Sequence, residues 1–187
     1  MAIIHKATLT PDKPTLIDAW LDSRPWAGRG PDEMLGAYRF DDPSREVGVE
    51  VFLVRCGSRL LHVPLTYRGA PLPGHQDDLV GTLEHSVLGT RWVYDGTKDE
   101  VAVACFRRAL TGEQEQAELE IWEDGRPVGN RPQQVLLSRE VGTVPGDTGA
   151  VDGGRVLLPY VLAGEPEGRA LLRARWKDEQ AVVAALA

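Results

Sequence analysis

The sequence predicts an α+β fold built on antiparallel sheet, and three observations carry that prediction. Strand-length runs rich in Val, Leu, Tyr and Trp recur along the 187 residues, separated by turn residues. Val47 to Tyr67 reads as a complete hairpin about a Cys56-Gly57-Ser58-Arg59 turn. A few segments carry helical spacing with start and stop signals, and they are too few to alternate with the strands.

Taken in order, Ala2–Leu9 alternates around Ile4 and reads as a strand. Thr10-Pro11 offers an N-cap and a first-turn proline. Leu16, Ile17, Trp20 and Leu21 then give a helix one apolar face, and Arg24-Pro25 ends it, because the residue before proline disfavours the α region. Gly36–Asp41 is a candidate strand. In the hairpin, Val47, Val49, Val51 and Leu53 share one face, with Glu50, Phe52 and Val54 on the other. Leu61, Val63, Leu65 and Tyr67 read as the continuation of the apolar face on the return strand. Pro64 cannot donate a ladder hydrogen bond and predicts an edge strand or a bulge. Strand, helix, then three antiparallel strands suggests a sheet wrapped on a helix, as in cystatin-like folds.

Asp77–Leu88 reads as a short helix ended by Gly89, and Arg91–Tyr94 as extended. Thr97 and Glu100 fit a capping box before a helix over Val101–Leu110, with Gly112 as its C-cap. Beyond residue 112 the pattern is mainly β: Glu118–Trp122, Gln134–Val141, Val156–Leu162, Ala170–Trp176 and Ala181–Leu186. The last two pair through a Lys177–Gln180 turn. The expected division is therefore 1–112 and 113–187.

Composition excludes several functions. With 42% hydrophobic residues a chain of this length buries roughly 70% of its unfolded surface without staples. The net charge of −7 is spread evenly, with only four lysines, so no positive footprint for nucleic acid exists. The N-terminus lacks a signal-peptide pattern and no apolar run approaches ~18 residues, which predicts a cytoplasmic protein off the membrane. Cys56 and Cys105 have no metal spacing and read as buried thiols. His5, His62, His75 and His85 are scattered, so no metal or other cofactor is expected. Val144–Arg155 holds four glycines, but a kinase loop there needs a lysine on a following strand and later metal ligands. No G-x-x-x-x-G-K-[ST] or G-x-S-x-G occurs either.

The most pointed constellation is Tyr67-Arg68 with Glu84-His85 and Arg91-Trp92-Val93-Tyr94. As a ligand pocket, Arg68 or Arg91 binds an anion, Trp92 stacks on a sugar face and Glu84 orients His85. As structure, the same residues tie a helix end to the sheet through buried hydrogen bonds, with Trp92 in the core.

Three long segments carry a family likeness: RFDDPSREVGVE (39–50), HVPLTYRGAPLPG (62–74) and GTLEHSVLGTRWVYDG (81–96). Over about residues 1–112 the chain resembles the N-terminal cap domain of actinobacterial maltokinases. In that family the cap leads a longer chain, followed by an intermediate subdomain and a catalytic lobe that phosphorylates maltose. Residues 113–187 offer strands for an intermediate-like portion, while the nucleotide lysine, catalytic base and metal ligands have no matching positions. The resemblance thus implies a stand-alone, non-catalytic cap acting by contact with a trehalose or α-glucan enzyme, or with itself. Two other readings stay open: a binder of a small sugar or sugar phosphate, and an enzyme with an unrecognised site.

Overall fold

The computed structural model describes residues 2–5, 7–30, 32–123, 125–141 and 154–187. The glycine-rich connection of 144–155 falls mostly outside them. Thirteen strands and two α-helices occur among the described residues, in three sheets paired antiparallel except at one junction. The α+β expectation holds at that level.

The largest sheet has six strands in the order β2 (Leu9–Thr10), β6 (Leu79–His85), β7 (Gly89–Asp95), β5 (Arg59–Arg68), β4 (Gly48–Cys56), β3 (Asp32–Phe40). Helix α1 (Lys13–Asp22) covers one face of it. Asp12 is its N-cap, accepting from Thr15 N at 2.9 Å, and Thr10 lies outside in β2. The four apolar residues predicted for α1 are all buried, packed on Phe52, Val54, Leu61, Val63, Leu65, Leu83 and Val93.

The opposite face of the same sheet is buried too. Tyr38, Phe40, Val49, Val51 and Leu53 pack on helix α2 (Glu100–Thr111) and on a four-stranded sheet beyond it. That sheet runs β10 (Leu136–Val141), β12 (Ala170–Trp176), β13 (Glu179–Leu186), β11 (Val156–Leu157). Val51 pairs with Pro64 and Phe52 with Val63, so Leu61, Val63, Leu65 and Tyr67 join Phe52 on the α1 side rather than the Val47–Leu53 face. A hairpin buried on both faces has no polar side to reveal which apolar residues belong together.

Helix α2 is present where expected, over Glu100–Thr111, but the capping box is not what starts it. Asp99, not Thr97, caps it by accepting from Val101 N at 3.0 Å, while Thr97 bonds Asp95 at the preceding turn. Gly112 closes it with φ 85, as its position predicts.

Residues 77–88 are not helical. A single 3-10 turn over Gln76–Asp78 leads into β6, antiparallel to β7. The spacing of Leu79, Val80, Leu83 and Val87 fits a helix, but Gly81 and the β-branched Val80, Thr82 and Val87 favour the sheet.

The third sheet holds β1 (Ala2–His5), β8 (Leu119–Glu123) and β9 (Arg126–Arg131). The single strand expected over Ala2–Leu9 is therefore split: β1 pairs parallel with β8, β2 antiparallel with β6. Strand β9 had no apolar signal, since all six of its residues are exposed.

Pro64 is in neither an edge strand nor a bulge. Strand β5 is paired to β4 along its whole length, and its other side changes partner at Pro64. On one side of that point β7 pairs with Leu65–Arg68 and Gly96 N bonds Pro64 O. On the other, residues 160–162 take over, with His62 N donating to Tyr160 O and Leu162 N to Leu60 O. The missing N–H falls in the gap between the two partners. Only Val156–Leu157 of the expected 156–162 strand is regular, because the segment leaves β13 to reach β5.

Candidate functional site

Register divides the seven candidate residues between the two faces of the large sheet. Directly opposed residues of an antiparallel pair share a face. Tyr67 opposes Val93 and Leu83 opposes Arg91, so Tyr67, Arg91 and, two residues from Leu83, His85 lie on the α1 side. Arg68 opposes Trp92, which opposes Thr82, and Glu84 opposes Thr90. Arg68, Glu84, Trp92 and Tyr94 therefore share the other side. No single pocket gathers all seven.

Most of them have hydrogen-bond partners within the fold. Arg68 presents Nε and Nη2 to the two carboxylate oxygens of Asp99 at 2.8 and 2.7 Å, and Thr66 donates to the same group at 2.7 Å. Burial works to raise the Asp99 pKa, but Arg68, Thr66 and the Val101 amide outweigh it and hold the carboxyl below its usual value. Tyr94 is buried, its hydroxyl accepting from Leu72 N at 2.8 Å, which docks the Pro71–Gly74 loop. Tyr67 lies under Lys13, whose Nζ is 5.3 Å from the ring centre and bonds Glu50.

Glu50 sits on the α1 side because two cations meet it there. Arg39 reaches it at 3.0 Å and Lys13 at 2.5 Å. Burial alone would raise its pKa; the two cations outweigh burial and hold it at about 2. His62, fully buried on the other side, is pushed by burial down to about 4, with Tyr38 Oη 2.9 Å from Nε2 and Pro159 O 3.2 Å from Nδ1.

The remaining residues converge on the β6–β7 turn. His85 Nδ1 accepts from both Val87 N and Leu88 N at 3.2 Å. Arg91 Nη2 donates to Leu88 O at 2.5 Å, and Thr90 donates to Glu84 at 2.7 Å across the hairpin. Thr8 and Ser86 bond each other from β2's side, and Gly89 takes the positive φ of 72 that closes the turn. Glu84, His85 and Arg91 thus hold a fixed tip whose two apolar side chains point to solvent, Val87 57% and Leu88 46% exposed. Two adjacent apolar residues on a braced turn are suited to contact with another surface.

Sequence reasoning missed Val87 and Leu88 because it placed them in a helix. The signal was present in Ser86–Gly89, a turn with glycine at its end between two strand-length runs. Trp92 is half-buried on the opposite face beside Thr82 and Arg68.

Among the described residues, no group of three His, Cys, Asp or Glu side chains is placed to hold a metal ion, and no helix is long and apolar enough to cross a membrane. Both cysteines are free and buried.

No curated protein and no solved structure matches the chain. A family model does match: the maltokinase N-terminal cap domain, over residues 20–99. That span runs from the end of α1 through β7 and its turn to Asp99, and so contains the braced tip and all seven candidate residues. Over residues 20–99, the chain is similar to the maltokinase N-terminal cap domain.

Proposed function

We propose that this protein is a non-catalytic cap module that acts in the cytoplasm by contact with an enzyme of trehalose or α-glucan (glycogen) metabolism. The observation that carries the reading is the braced Val87-Leu88 tip inside the segment that matches the cap family. Three polar side chains are committed to fixing a turn whose own apolar residues stay in water. A pre-fixed tip loses little conformational entropy on docking. Capture from native lysate with wild type and with Val87→Ser/Leu88→Ser tests it. The expected result is a maltose-, trehalose- or glucan-processing enzyme retained by wild type and lost by the variant. A monomer that retains no such enzyme contradicts the reading; self-association lost in the variant would make the partner a second copy.

Trp92 supports a second reading, a small-sugar site. A half-buried indole with Thr82, Glu84 and the fixed Arg68 fork on the same face offers stacking and hydrogen bonds together. Thermal shift with maltose, trehalose and glucosamine tests this: a ligand at 100 Kd stabilises by ~2.7 kcal/mol, and a flat panel excludes it.

A further inference from the structure

A cleft of about 850 Å³ opens between the end of α1, the 27–30 loop and the β4–β5 turn. Three arginines line it: Arg24, Arg29 and Arg59. Among the described residues none of them is ion-paired to a carboxylate, although the chain carries seven net negative charges. The Arg24 guanidinium lies 4.9 Å from the Trp20 ring, and its Nε is buried with no acceptor. Arg59 Nη1 donates to Trp26 O at 2.5 Å, which leaves the rest of its fork uncommitted. The Arg29 side chain is exposed.

Glycines let the loops that carry Arg29 and Arg59 approach each other closely. A Cβ on Gly57 (φ 57) would meet Arg29 O at 2.6 Å, and one on Gly30 (φ 138) would sit 3.1 Å from Gly57 Cα. A side chain on Gly57 would force the β4–β5 turn and the 27–30 loop apart, and one on Gly30 would crowd Gly57. On Gly28 (φ 101) a Cβ would press on the Arg59 stem at 3.1 Å.

The cleft also contains acceptors. Asp22 and Asp32 line it; Asp32 Oδ1 is buried without a hydrogen-bond partner, and the Cys56 thiol lies beside the same carboxyl. An unpaired guanidinium and an unpaired carboxylate oxygen each lose hydrogen bonding on burial. One molecule satisfies both if it carries an oxyanion for the arginines and hydroxyl donors for the aspartates. The volume, well beyond that of a bare phosphate, fits such a molecule.

We infer that this cleft binds the phosphate monoester of a small polyol, its phosphate held by Arg24, Arg29 and Arg59 and its hydroxyls donating to Asp22 and Asp32. Arginine forks match phosphate oxygens in pairs. The inference uses none of the residues invoked for contact at the tip or stacking at Trp92, so each can fail alone.

Calorimetric titration at fixed ionic strength tests it, with glucose 6-phosphate, inorganic phosphate and glucose as probes. Wild type, Arg29→Ala and Asp22→Asn are compared; both substituted residues are exposed, and circular dichroism checks that each variant is folded. The expected result is saturable binding of glucose 6-phosphate, none of glucose at the same concentration, and about tenfold weaker binding in Arg29→Ala. Asp22→Asn is expected to narrow the preference for glucose 6-phosphate over inorganic phosphate. Absence of saturable binding of either phosphate compound, or equal affinity in Arg29→Ala, overturns the inference. Equal binding of inorganic phosphate and glucose 6-phosphate overturns the role given to the aspartates.

Discussion

Asp99 joins three elements: it caps α2, accepts the Thr66 hydroxyl of β5 and holds the Arg68 fork. Its side chain is 1% exposed and that of Arg68 19%. Asp99→Ala leaves a largely buried guanidinium unpaired, which costs about 3–5 kcal/mol, and removes a helix cap worth about 1 kcal/mol. Urea denaturation is expected to show a loss of that order, against less than about 1 kcal/mol for an exposed pair. Acid should destabilise the fold in two windows. His62 titrates near 6.5 unfolded and about 4 folded, so the unfolded chain takes up its proton first and stability falls as pH drops from about 6.5 to 4. Glu50, at 4.5 unfolded and about 2 folded, contributes stability that is complete above about 4.5 and lost as pH falls towards 2. Denaturation midpoints from pH 8 to 2 measure both, and His62→Gln should flatten the upper window alone.

At the scale of elements, what could be read from sequence was what has a one-sided signal. Helix α1 was legible because Leu16, Ile17, Trp20 and Leu21 are all buried against one face, and α2 because Gly112 stops it. The β4–β5 hairpin was legible as a hairpin but not in its facing, since apolar residues cover both sides. Strand β6 was misread because a short apolar run with mixed spacing fits helix and strand alike, and only its pairing with β7 decides. That one error hid the tip, since a helix through Glu84–Leu88 has no turn for His85 to brace. His85→Ala removes the acceptor shared by the Val87 and Leu88 amides. Hydrogen exchange is expected to speed up at those two amides, while amides in the body of β6 and β7 stay unchanged; uniform acceleration along both strands would contradict a local role.

At the scale of the whole molecule, residues from both sides of position 112 share one core. The core beneath the large sheet draws on Tyr38, Phe40 and Val49 together with Leu172, Trp176 and Leu186. Tyr160 ties the two ends: its hydroxyl bonds Asp95 and Thr97 at 2.5 Å, and its ring stacks on Trp26 at 4.3 Å. Such contacts between residues 63 to 134 positions apart leave no local pattern to read. The parallel β1–β8 pair is hidden for the same reason. Tyr160→Phe keeps the stack and loses the bonds, at an expected cost of about 1–3 kcal/mol in thermal or urea unfolding, because Asp95 is left short of a donor.

Contact at the hairpin tip is most directly tested by a photo-crosslinking residue placed at position 87 and, as a control, at Val128, which is equally exposed at 58% on the outer strand β9. Illumination in living cells is expected to yield one defined adduct from position 87, with a sugar- or glucan-metabolising enzyme, and none from position 128. No adduct from position 87, or the same adducts from both, would contradict the account.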